Sequence, residues 1–81
     1  MAPEITIRQA TSDDAFALRR LAALDDARAL RGEILLAEHA GEIRAALSLE
    51  SDRAIANPFA PTAELIDMLR VHGAYAQSIA A

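Results

Sequence analysis

The chain has no cysteine, no tryptophan and no lysine, and its only aromatic residues are Phe16, Phe59 and Tyr75. Each absence excludes something. Without cysteine, neither a disulfide nor a thiolate-bound metal can reinforce the fold. Without lysine, there is no side-chain ammonium to be modified. With so few aromatics the core must be filled by smaller side chains, and alanine supplies much of the 53% hydrophobic content. A chain of 81 residues makes one small domain, which buries only about 60–65% of the surface its unfolded form exposes. Stability must then come from an economical core or from association with another chain. The net charge of −4, with all eight basic residues arginine and interleaved with acids, lacks the electrostatic footprint of a nucleic-acid binder. No run is long and apolar enough to span a bilayer. The opening "MAPEITIRQA" has no basic stretch leading into an apolar one, so no secretory signal is expected and the location is expected to be cytoplasmic.

What is present is a clear order of elements. "EITIRQA" (4–10) alternates Ile5 and Ile7 with Thr6 and Arg8, the period of a strand. "TSDDAFALRRLAALDD" follows, with Thr11 as an N-cap and Asp14 three positions on, the spacing of a capping box. Ala15, Leu18, Leu21 and Ala22 form the apolar stripe of a helix. Asp25 and Asp26 suit a helix start better than a helix end. "DARALRG" is therefore expected to be a second short helix, capped by Asp26 and closed by Gly32. "EILLAEHAGEIRAALSLESDRAIANP" reads as a three-stranded meander turning at Ala40–Gly41 and Ser51–Asp52. Ile43, Ala45, Leu47 and Leu49 are expected on one face of its middle strand, and Arg44, Ala46, Ser48 and Glu50 on the other. The third strand, Arg53 to Asn57, stops at Pro58. Pro61 suits the first turn of a last helix with Leu65, Ile66, Leu69 and Ala76 buried. Gly73 either ends that helix near His72 or lets it approach the sheet closely. The fold class expected is α+β, in the order β-α-α-β-β-β-α. A four-stranded antiparallel sheet would carry the helix pair on one face and the C-terminal helix on the other.

"ITIRQATSDDAFALRRLAAL", "ILLAEHAGEIRAALSL" and "DRAIANPF", in that order and spacing, resemble the N-terminal half of the GNAT superfamily of N-acetyltransferases. The resemblance runs from about Ile5 to the start of the last helix. It implies that residues 1–81 form a single truncated GNAT-like domain, sealed by a helix where the family continues with a fifth strand. It also points to a departure. In the family, a glycine-rich loop and the following helix N-terminus cradle the pyrophosphate of acetyl-CoA, through free N–H groups and the positive end of the helix dipole. Here that place holds "NPFAPTAE", with no glycine, no arginine, two prolines without N–H groups, and Glu64 in the first turn. Acetyl-CoA is therefore not expected to bind in the family's manner, and no cofactor is expected.

The remaining candidates read as structural. His39 and His72 have no partner at ligand spacing, so neither a metal site nor a catalytic histidine is expected. Asp13 with Asp14, and Asp25 with Asp26, are adjacent on helices and do not face each other. Ser12, Ser48, Ser51 and Ser78 lie in no nucleophile-elbow context. Tyr75 does not sit in the motif of the family's general-acid tyrosine. No catalytic residue is assigned. Phe59 reads as a plug beneath the last helix, with an anchor in an interface as the alternative. The expected function is a non-catalytic interaction domain that homodimerises, across the edge Arg53, Ile55, Asn57 and Phe59 or through the face of the last helix. The rival is a minimal N-acetyltransferase whose acetyl-CoA site is completed by a second subunit or partner chain. Neither nucleic acid nor membrane is an expected partner.

Overall fold

The computed structural model describes residues 5–80, with side chains described as far as Tyr75. Strand β1 (Ile5–Gln9) leads through a single 3-10 turn (Ser12–Asp14) into α1 (Ala15–Leu24). Strands β2 (Ile34–His39), β3 (Glu42–Ser48) and β4 (Ala54–Ala56) follow, then α2 (Ala63–Ala80). The sheet order is β1-β2-β3-β4, antiparallel throughout. This is the α+β arrangement that the alternating strands and striped helices imply. Helix α1 packs on β3 and β4 on one face, and α2 packs on β2 and β3 on the other. No described helix is long and apolar enough to cross a membrane.

Each face has its own core. Leu21, Ala22, Ile34, Leu36, Ala46 and Ile55 fill the α1 side. Ala37, Ala45, Leu47, Ala56, Leu65 and Leu69 fill the α2 side. Both are built from alanine, leucine and isoleucine only, so small side chains let helix and sheet approach closely. Gly73 lies inside α2 and does not end it; a Cβ there would meet Leu49 Cδ2 at 2.8 Å. Ala76 belongs to the residues whose side chains lie outside the described part.

Three local expectations are corrected. No short helix forms over 26–32, because α1 closes earlier with a Schellman motif. The Ala27 N–H reaches Ala22 O at 2.9 Å and the Asp26 N–H reaches Ala23 O at 3.2 Å. Asp26 takes the left-handed conformation that glycine usually occupies (φ 49°). Pro61 precedes α2 and is not in its first turn, since the first helical bond runs from the Ile66 N–H to Thr62 O. In β3, Ile43 does not share a face with Ala45. Pairing steps from Ala37↔Ala45 to Glu38↔Ile43, leaving Arg44 as the extra residue of a β-bulge. The bulge turns Ile43 onto the α1 side and carries Arg44 round to the mouth of α2.

Candidate functional site

Three places hold side chains that chemistry or recognition could use. The first is a cleft of about 580 Å³ at the start of α2, lined by Ile5, His39, Arg44, Pro61, Thr62 and Glu64 among others. The loop into it is folded by Asn57, whose Oδ1 accepts the Phe59 N–H at 2.9 Å. Arg44 is its cation. One terminal nitrogen lies 3.2 Å from Glu42 Oε2, while its buried Nε has no hydrogen-bond partner among the described residues. Glu64 stands in the first turn of α2. The mouth thus carries one positive and one negative group, and the dipole field there is offset by the carboxylate. Arg44 was missed from sequence because its position depends on the bulge.

The second is an ion cluster on β1. The Arg8 guanidinium donates two bonds to the Asp14 carboxylate, both at 2.8 Å, and its Nε donates to Glu38. Asp14 Oδ2 also accepts the Thr11 N–H at 2.7 Å, the reciprocal arm of the capping box. Arg8, and after it the Thr11 N–H, hold the Asp14 carboxyl well below the usual range. Hydrogen bonds to Asp14 and then Glu38 push Arg8 above its own. Arg8 binds both carboxylates at once, which makes the cluster a brace between β1, β2 and the 3-10 turn.

The third is the exposed apolar surface. Phe16 is 66%, Phe59 84% and Tyr75 68% exposed, so every aromatic residue in the chain lies outside the core. Phe59 is not the plug beneath α2. Its loop is braced by the Asn57 turn, which satisfies the backbone without any help from the phenyl ring.

Of the four residues expected at an interface, only Phe59 presents its side chain fully. Ile55 is 1% exposed and faces the α1 core. Arg53 is half-buried and donates to Arg28 O at 2.8 Å. Asn57 is half-buried and committed to its own turn. The β4 edge is also occupied from within the chain, since Asp25 Oδ2 accepts the Ala56 N–H at 3.1 Å. The paired aspartates therefore differ in role: Asp25 covers a strand edge and Asp26 ends a helix.

Ser48, which no nucleophile motif surrounds, is fully buried. It donates to Arg31 O at 2.7 Å and accepts the Ser51 N–H at 3.1 Å, tying two loops together. His72 Nδ1 lies 3.0 Å from Met68 O on its own helix. Among the described residues no three histidine, aspartate or glutamate side chains gather as a metal site would need. Set against family models, curated proteins and solved structures, the chain matches none.

Proposed function

We propose that the chain is a non-catalytic interaction domain, built on the GNAT-like pattern its sequence resembles, that pairs with a second copy of itself and does not hold acetyl-CoA. One observation carries the reading: Phe16, Phe59 and Tyr75 are all exposed. Aromatic side chains offer the largest apolar area in a sequence and normally fill the interior. They are enriched at the centres of protein interfaces, where they carry much of the binding energy. A small domain that leaves all of them in water gains most from a partner that covers them. Sedimentation velocity at tens of micromolar should show a dimer, and replacing Tyr75 and Phe59 by serine should shift it toward monomer. A strict monomer at that concentration would remove the proposal.

A second reading, the minimal N-acetyltransferase completed by another subunit, is favoured by Arg44 alone. Its buried Nε at the mouth of α2 lacks a partner among the described residues, and an unsatisfied cationic donor can be relieved by an anion. Thermal unfolding with millimolar acetyl-CoA separates the two readings. A ligand at 100 times its Kd stabilises a fold by about 2.7 kcal/mol. The interaction domain shows no shift.

A further inference from the structure

We infer that the second copy docks along the outer edge of β1. Strand β1 would pair antiparallel with its mate about Ile7, joining two four-stranded sheets into one. This rests on the self-association proposed above and assigns it a place.

The two sheet edges are not equivalent. On β4 the Asp25 carboxylate occupies the outward Ala56 N–H, so a strand arriving there must displace a charged acceptor. On β1 the Ala10 N–H bonds Ile34 O at 2.8 Å, and in an antiparallel ladder the inward groups alternate. Thr6, Arg8 and Ala10 therefore face β2, while Ile5, Ile7 and Gln9 direct their N–H and C=O groups outward. Among the described residues those outward groups take part in one hydrogen bond, a long one of 3.3 Å from Arg8 to the Gln9 carbonyl. An edge of this kind is a template for another strand.

The register is self-complementary. Pairing about Ile7 sets Ile7 against its mate, Ile5 against Gln9, and Thr6 against Arg8, so all five residues of β1 are matched. No like charges oppose one another. The one charged side chain on the strand, Arg8, is held back onto its own chain by Asp14 and Glu38.

The surface beside the edge also fits. The main helix contacts fall on β2, β3 and β4, and on the α2-side face of β1 Ile7 packs at the rim of the α2 core. Ile5 is 40% exposed there, beside half-buried Ile7. Arg70 bonds Asp52 in the β3–β4 turn at 2.8 Å and so marks the β4 flank of α2. Met68 and Tyr75, seven apart on one side of the helix, lie on the opposite flank, toward β1. A two-fold axis through Ile7 brings that flank against its own copy, covering Tyr75, Met68 and Ile5 together.

Hydrogen exchange tests this without altering the chain. In the dimer the Ile7 and Gln9 amides should slow by roughly tenfold or more as concentration rises through the association range, while Thr6 and Arg8 amides, bonded to β2 in either state, stay protected throughout. Gln9→Pro removes an outward N–H on an exposed residue and should give a folded monomer. Tyr75→Glu, on the exposed helix flank, should weaken the dimer independently. A dimer that persists in folded Gln9→Pro, together with Ile7 and Gln9 amides of the parent chain that exchange at concentration-independent rates, overturns the docking place but leaves self-association standing. A parent chain that never dimerises overturns both.

Discussion

Arg8 stands on an edge strand, where a charged side chain ordinarily stays in water, yet it is bound down by carboxylates from the 3-10 turn and from β2. The consequence is a pH dependence with a definite sign. Asp14 is held below its ordinary pKa by Arg8 and by the Thr11 N–H. Its contribution is fully present above the unfolded value, about 3.9, and is lost as pH falls from there toward the depressed folded value. Urea midpoints measured from pH 7 to strongly acidic solution should fall more steeply for the parent than for Asp14→Asn below about pH 4. Parallel curves would show that the brace is not coupled to folding. Part of this was legible in sequence, because the spacing of Thr11 and Asp14 is local and the capping box follows from it. The arm to Glu38 spans 30 residues and exists only once β1 and β2 are in register. Ser48 is similar: nothing near it in sequence marks the carbonyl of Arg31 as its partner.

At the scale of elements, the β2–β3 hairpin turns through Ala40 (φ 54°) and Gly41 (φ 81°). Positive φ at both central residues is what a type I′ turn demands, and asparagine or glycine is the usual first residue. Alanine in that conformation costs roughly 1 kcal/mol, and Ala40 is exposed, so nothing else depends on its methyl group. Ala40→Asn should therefore raise stability by about 0.5–1 kcal/mol, read as a melting temperature a few degrees higher, about 4–8 °C per kcal/mol for a domain of this size. An unchanged or lowered melting temperature would show that the turn is not strained. The turn itself could be read from Ala-Gly between two apolar runs. What sequence patterning misreads are the places where an unusual residue does a familiar job. Asp26 ends α1 in the place of glycine, so Asp25–Asp26 looks like a new helix start. The bulge at Arg44 inverts the two-residue period locally, so every assignment N-terminal to it in β3 changes face.

For the whole molecule, the order of elements and the two-sided packing follow from alternating strands, striped helices and proline stops, all readable along the chain. Which residues remain outside does not, because exposure is set by where the helices sit on the sheet. The core closes on alanine, leucine and isoleucine alone, and the aromatics are left over. Self-association then adds to stability by mass action. The melting temperature should rise with protein concentration across the association range and become constant for Gln9→Pro; a melting temperature independent of concentration in the parent would count against any dimer. The carboxylate that Asp25 lays on the last strand has one more effect. A sheet open on both sides could recruit neighbours without end and grow into fibres, whereas one shut side makes growth stop at a pair. Asp25→Ala should reopen that side and turn a finite assembly into a polymerising one, visible as rising light scattering.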